Sequence, residues 1–375
     1  MVLHFNKNYG IGQDMKKAIT QAEIAELLGI NQATVSCAFT ESPKVGPELR
    51  ARIRNAALSM GYRPNASSRA VRRGRTDTIA VLLSTDGHRS YMPLSMQNAI
   101  LYAAEEHQKL VIFSRFSDDK LTSEELMPRI LTELSVDGLI LNYSHMVPSA
   151  LDELISRYHV PAIWINRNLP FDCVHPDDFA GTAMAVRKLY GMGHRKIAFL
   201  HSFPTLPPAQ EPYSVQQRQD GYMQGMRECG LAPMTVGSIA CPHHEKIDRF
   251  NAWWDSFGGE HPTGVIGYQH PDSAFFLHQI TRRGMRVPGD VSFVMFGDHQ
   301  DRSTGIQFDN ITLPEAELGR IAVEMLIRKI SAPATQIPSR VTMPAWMPGE
   351  SCRAIESPDS PARRNSKKIK DAKTK

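Results

Sequence analysis

From Thr78 to Gly297, short apolar runs rich in branched residues alternate with amphipathic helical stretches, and no other feature restricts the possible folds as much. The runs are TIAVLL (Thr78 to Leu83), KLVIFSRF (Lys109 to Phe116), DGLILNY (Asp137 to Tyr143), PAIWIN (Pro161 to Asn166), KIAFLHS (Lys196 to Ser202), TGVIGY (Thr263 to Tyr268) and VSFVMFG (Val291 to Gly297). Helical patterns separate them at Leu94 to Gln108, Ser123 to Leu134, Gly181 to Met192, Arg218 to Cys229 and Ser273 to Arg283. Strand and helix in alternation predict parallel sheets flanked by helices, and seven strands with a long central segment suit two such lobes. Open parallel sheets bind ligands beyond the carboxyl ends of their strands, so a cleft between the lobes is the expected site.

The segment before this body has a different grammar. Thr20 with Glu23 forms a capping box, and Ile24, Ala25, Leu27 and Leu28 give an apolar helical stripe that stops at Gly29. Asn31 caps a second helix, Gln32 to Phe39, whose inward side is Val35 with Ala38 or Phe39. Two short helices joined by a glycine turn read as a helix-turn-helix. A third helix begins at Pro47, carries Leu49, Ile53, Ala56, Ala57 and Met60, and stops at Gly61. The stretch YRPNASSRAVRRGRTD, Tyr62 to Asp77, holds five arginines and room for one short helix capped by Asn65. A helix that short is marginal alone, so the segment reads as a linker that orders against a partner.

Charge is distributed along the same divisions. Residues 15 to 75 carry eleven Lys/Arg against four Asp/Glu, and residues 353 to 375 carry eight against three, leaving −8 for residues 76 to 352 in a chain of net charge +4. A basic head and tail flank an acidic body, which suits a module that binds a polyanion through its head. The alternative is a solvated charged face. The five cysteines (Cys37, Cys173, Cys229, Cys241, Cys352) are scattered without metal-ligand spacing and read as reduced thiols. No run reaches the roughly 18 apolar residues of a membrane span, and the first 14 residues lack a signal-peptide core. The expectation is a cytoplasmic protein, nucleoid-associated when bound to DNA, without membrane partners, cofactor or metal.

The blocks AEIAELLGINQATVS, VGPELRARIRNAALSMGYRPNASSRAV and TDTIAVLL in the head, with DGLIL, VPAIWINR, DDFAGTAMAVRKLYGMGHRKIAFL, RQDGY, GMRVPGDVSFVMFGD, PEAELGRIAVEML and MPGESC in the body, resemble in order the LacI/GalR family of transcriptional regulators from Ala18 to Cys352. The resemblance implies a small all-α helix-turn-helix head plus an α/β body of two-lobed parallel-sheet, periplasmic-binding-protein-like fold. The divisions it implies are a disordered extension (1 to 14), a DNA-binding domain (15 to 64), a hinge helix or linker (65 to 75), a ligand-binding and dimerisation domain (76 to 352) and a basic disordered tail (353 to 375). Within the body, lobe one covers about 76 to 176 with 314 to 342, and lobe two about 177 to 313 with 343 to 352. The implied partners are a partly palindromic double-stranded operator, a second copy of the chain, and a small-molecule effector such as a carbohydrate. Two-fold dimers and half-sites about one DNA turn apart go together in helix-turn-helix proteins.

The candidate DNA contacts start at the N-terminal end of the second helix. Gln32 can pair with adenine and Ala33 can touch a thymine methyl, while Thr20, Thr34 and Ser36 are short hydroxyl residues suited to phosphate or base contacts. The alternative for Gln32 is a solvated surface side chain. Cys37 stands where the family commonly has a guanine-reading arginine, and a thiol cannot form that bidentate pair; packing is favoured over an oxidisable switch. In the hinge, Asn65 and Arg69 match the family, Ser68 replaces an alanine, and Val71, beside Arg72, replaces the leucine that commonly wedges between base pairs. The alternative is a flexible arginine-rich linker.

For the effector, Arg218 of RQDGY matches the family arginine that clamps hydroxyls or carboxylates, with a surface salt bridge as the alternative. Asn166 and Tyr91 are polar and stacking candidates. Gln269 and His270 replace an Asn-Asp pair, and Asp298 alone remains of a paired aspartate. His243 and His244 read as surface histidines rather than a metal site. An Arg218→Ala chain is expected to lose its ligand response and keep unliganded DNA binding nearly intact. The competing classes are an enzyme on the same scaffold or a pure small-molecule-binding protein; no GxxxxGK[ST], GxSxG or HExxH stretch supports the former. The reading is a non-enzymatic, effector-controlled regulator, most simply a repressor.

Overall fold

The computed structural model describes residues 19–40, 42–64, 70, 73–87, 89–118, 135–201, 211–238, 243–269, 271–297 and 305–355. The expected helix Ser123 to Leu134 and the candidate residues Asn65, Arg69, Val71, Arg72, His270 and Asp298 lie outside them, as do the first 14 residues and the tail beyond Ile355. The chain divides between Thr76 and Asp77 into two compact units.

The first unit contains α1 (Gln21–Leu28), α2 (Gln32–Phe39) and α3 (Pro47–Ser59). Both predicted caps form: Thr20 and Glu23 bond reciprocally, and the Asn31 side chain accepts from the Ala33 amide at 2.7 Å. Gly29 closes α1 with φ of 62°, a conformation that any Cβ would strain. Ile24, Ala25, Val35, Ala38, Val45, Ile53 and Ala57 make the core, with Cys37 and Phe39 half-buried against it. Leu27 departs from the expected stripe and is 61% exposed. With Ile24, Ala25 and Leu28 defining the inward arc, Leu27 points about 110° away from its centre at about 100° per residue.

The second unit is built on two six-stranded sheets. The first has the order β11-β5-β4-β3-β1-β2, all parallel, from β1 (Thr78–Ser84), β2 (Leu110–Phe116), β3 (Gly138–Asn142), β4 (Ala162–Ile165), β5 (Cys173–Pro176) and β11 (Arg340–Thr342). Strand alternation sends Ile79, Val81 and Leu83 to one face, against α4 (Leu94–Glu106) and α10 (Glu315–Ser331), and Ala80 and Leu82 to the other, against α5 (Ser149–Arg157). Apolar residues on both faces explain why these strands read as continuous hydrophobic runs.

The second sheet has the order β12-β10-β9-β8-β6-β7, from β6 (Ile197–His201), β7 (Gly237–Ser238), β8 (Gly264–Gly267), β9 (Ser292–Phe296), β10 (Asp309–Thr312) and the antiparallel edge strand β12 (Ala345–Met347). Its faces are covered by α6 (Asp178–Gly191) with α7 (Tyr213–Glu228), and by α8 (Lys246–Asp255) with α9 (Pro271–Arg282). α6 and α7 cross closely because Gly221 sits where a Cβ would lie 2.2 Å from the Phe179 carbonyl oxygen. The chain passes between the sheets after Pro176, after Thr312 and between Thr342 and Ala345. No helix among the described residues is long and apolar enough to cross a membrane.

Candidate functional site

On the first unit, α2 exposes Gln32 and Ala33 at its N-terminal end, while Thr34, Ser36 and Cys37 are half-buried. Cys37 packs beside Val35 and Ala38, the placement expected of a small apolar residue. Thr20 is committed to the helix cap: its amide and hydroxyl both donate to Glu23 Oε2, at 2.6 and 2.9 Å. Neither donor is left for a phosphate in this geometry.

On the second unit, a cleft of about 130 Å³ opens at the carboxyl ends of the first sheet's strands. Tyr91 comes from the loop after β1, Asn142 from the end of β3, Asn166 from the residue after β4, and Glu315 from the first turn of α10. Asp178 at the start of α6 and Arg218 on α7 close the other side. Arg218, Asn166 and Tyr91 thus meet in one cleft, whereas Gln269 is not among its lining residues. The Gln269 amide instead donates to Asp272 Oδ2 at 3.2 Å in the turn opening α9.

An amide relay shapes the first side. Asn166 takes a left-handed backbone with φ of 61°, which asparagine tolerates better than most residues, and its Nδ2 donates to Asn142 Oδ1 at 3.1 Å. Asn142 Nδ2 in turn donates to the Tyr91 carbonyl at 2.8 Å, fixing the loop while the Tyr91 side chain stays 60% exposed. Arg89, from the same loop, is buried; its guanidinium donates to the Met146 carbonyl and to Asp118, both at 2.8 Å. Ser95 Oγ donates to Glu315 at 3.1 Å.

Arg218 anchors the other side as one half of a buried ion pair, rather than as a surface salt bridge. It is 7% exposed, and its Nε donates to Asp178 Oδ1 at 2.7 Å. Its Nη1 donates to the Tyr268 carbonyl, and its guanidinium carbon lies 3.8 Å from the centre of the Phe296 ring and 4.5 Å from that of Tyr268. Burial opposes the charge, but the Asp178 carboxylate outweighs it and holds the Arg218 pKa above its usual value. Burial and the same carboxylate push the Tyr213 hydroxyl well above the usual tyrosine range, so Tyr213 is a neutral donor, placed 3.3 Å from the Pro176 carbonyl.

Asp178, Arg89, Asn142 and Glu315 are lining residues that residue patterns did not single out. The doublet Asp177-Asp178 carried a signal for one of them: Asp177 caps α6 by accepting from the Ala180 amide, which leaves Asp178 free of that duty and turned inward. Among the described residues no group of three His, Cys, Asp or Glu side chains could hold a metal ion, and His244 is exposed beside Glu245.

Comparisons with known proteins agree with this geometry. A family model described as a periplasmic binding protein-like domain matches residues 186–352. The chain is 26% identical over 316 residues to the HTH-type transcriptional regulator GalS of Salmonella typhimurium, covering 83% of this chain and 89% of the relative. It is 25% identical over 346 residues to the ribose operon repressor of Haemophilus influenzae, covering 90% and 99%. It is 27% identical over 338 residues to the NTD biosynthesis operon regulator NtdR of Bacillus subtilis, covering 84% and 93%. The fold is shared with a lac repressor dimer bound to operator and an anti-inducer, at a TM-score of 0.72 and 20% identity over 90% of this chain and all of that one. It is also shared with a complex of the transcriptional regulator CelR with cellobiose, at 0.61 and 21% over 89% and 99%. With its helix-turn-helix head, its two-sheet body and the cleft at the strand ends, the chain is thus similar over most of its length to transcriptional regulators of operons.

Proposed function

We infer that the chain is a cytoplasmic repressor whose affinity for a partly palindromic operator is controlled by a small polar metabolite held between the two lobes. Two copies would place their heads on adjacent half-sites. Gln32 and Ala33 would face base edges, Thr34 and Ser36 would serve nearby phosphates or bases, and Asn65, Arg69, Val71 and Arg72 would engage the minor groove between half-sites. Arg218, Asn166 and Tyr91 would contact the effector.

The observation that carries this reading is the end of α2. It presents an uncharged bidentate amide and a methyl group to solvent, on a helix otherwise held by its cap and core, in a chain matched along most of its length by operon regulators. The test is quantitative band-shift with operator DNA selected from a random library. Gln32→Ala should cost about 1–3 kcal/mol and relax preference at one base position in each half-site. An equal loss on every sequence would make Gln32 a positioning contact. Deletion of residues 1–75 should abolish operator binding and leave ligand binding in place; a truncated chain that still selects the operator refutes the reading.

A further inference from the structure

The second unit begins at Asp77, and that residue is gripped through its amide, its carbonyl and its side chain. Its N–H donates to Asp137 Oδ2 at 3.1 Å, its carbonyl accepts from the Leu110 amide at 2.9 Å, and its Oδ1 accepts from Lys109 Nζ at 3.0 Å. Lys109 Nζ also donates to Asp137 Oδ2 at 2.8 Å, and the Asp137 amide donates to the Thr78 carbonyl at 2.7 Å. Asp77, Lys109 and Asp137 are the residues directly before β1, β2 and β3, which are neighbours in the first sheet. One ammonium and two carboxylates therefore bind the starts of three strands together.

Stability alone does not demand ions there. The Lys109 and Asp137 side chains are 10% and 4% exposed, and the desolvation of such a pair offsets much of its attraction, so apolar side chains of similar volume would hold a fold about as well. Burial opposes the Lys109 charge, but the two carboxylates outweigh it and hold its pKa above the usual value. What the ions add is a fixed direction. Asp77 has a φ of 54°, a left-handed backbone that L-residues seldom adopt, and the planar peptide arriving from Thr76 cannot turn while its N–H is held by Asp137. Residues 62 to 76, directly ahead in sequence, carry five arginines. A DNA-binding segment loses less freedom on binding when its anchor is already fixed. Lys109 itself, enclosed by two carboxylates, is not placed to meet a phosphate.

We propose that Lys109 is a positioning residue for operator binding: by holding Asp77 and Asp137 it keeps the Asp77 backbone in one conformation and fixes the direction of the chain at the start of the body. The proposal rests on the reading of the chain as an operator-binding regulator. It makes the anion and the cation of the junction act together, so removing the Asp77 carboxylate weakens DNA binding even though a negative charge is lost.

The test is band-shift of the full chain on its selected operator across a range of salt concentrations, at a temperature where each variant is shown by thermal unfolding to be folded. Lys109→Met and Asp77→Ala should each raise Kd about ten-fold, the order of the conformational freedom of one residue, with the slope of log Kd against log salt unchanged. A purely structural role would lower the melting temperature and leave the operator Kd of the folded chain as it was. A direct phosphate contact would make the salt slope shallower in Lys109→Met, and simple charge repulsion would make Asp77→Ala bind more tightly. Any of these results overturns the proposal and leaves the operator reading standing. Should Lys109→Met fail to fold, Asp77→Ala, which removes a half-exposed carboxylate, decides alone. A wild-type chain that selects no operator overturns both.

Discussion

Removing Arg218 should damage the fold as well as the ligand response, because Arg218 is one half of a buried pair. The two side chains are 7% and 1% exposed, and Asp178 Oδ2 already has no partner among the described residues. Arg218→Ala takes the bond from Oδ1 too and leaves a buried carboxylate with neither oxygen satisfied by a described partner. Breaking one side of such a pair costs about 3–5 kcal/mol, whereas replacing both members by apolar residues of similar volume is close to neutral. At roughly 2–4 °C per kcal/mol for a body of this size, the melting temperature should drop on the order of 10 °C. The assay is a double-mutant cycle by urea and thermal unfolding of the full chain with Arg218→Met, Asp178→Leu and the double variant. Each single change should cost about 3–5 kcal/mol and the double far less than their sum, giving a coupling of about 3 kcal/mol or more. Two singles that each cost under about 1 kcal/mol and add would refute the reasoning. The expectation that Arg218→Ala leaves unliganded operator binding nearly intact therefore needs the double variant, in which the charge is gone and the fold is retained.

Gly221→Ala should destabilise the body by about 1–3 kcal/mol or more, since its Cβ would lie 2.2 Å from the Phe179 backbone oxygen, and should weaken the effector response because Gly221 is one turn from Arg218; unchanged melting refutes the close crossing. His194 bonds Thr263 Oγ1 at 3.0 Å and the Arg353 carbonyl at 3.1 Å, and burial lowers its pKa below the usual 6.5. Its stabilising contribution is therefore full above about pH 6.5 and is lost as the pH falls from there through the lowered folded value, because the unfolded chain takes up the proton first. A His194→Gln chain should show a flatter decline of stability below pH 6.5 than the wild type.

How much was legible in advance follows from burial. The seven strands read correctly from residue patterns have neighbours on both faces or a clear apolar run, and their observed bounds differ from the expected ones by a residue or so at each end. The strands that were missed are short or polar. β5 is the four-residue segment CVHP that ends in proline, β7 has two residues, β11 and β12 are mostly exposed, and β10 is the segment DNIT. In β10 the buried Asp309 holds the C-terminal strap, accepting from the Ser351 and Cys352 amides at 3.1 and 2.8 Å. A polar residue that is buried because of a partner 42 positions away leaves no local periodicity to read. The cleft shows the same limit. Arg218 could be singled out, but Asp178, 40 positions earlier, is recognisable only once α6 and α7 lie side by side.

The uncharged α2 poses the converse problem, since its function is local and its affinity is not. Arg50 looks like a phosphate-binding cation, yet its Nη2 donates to the Ser42 and Val45 carbonyls at 2.7 and 3.0 Å and ties the turn between α2 and α3. Lys44, Arg52 and Arg54 are exposed around the same unit. Base edges are read by short-range hydrogen bonds, which need position more than charge, whereas phosphate attraction acts over a Debye length and tolerates looser placement. A capped, core-anchored helix that carries Gln32 and Ala33 can therefore supply discrimination while cations on α3 and beyond supply affinity. Cys37, half-buried against the core, stands where a guanine-reading arginine is common in the LacI/GalR family that the sequence resembles; on the proposed reading, selection of operators from a random library should therefore give a site that differs from the family pattern at the base pair that residue would have read, and an unchanged preference there would refute it.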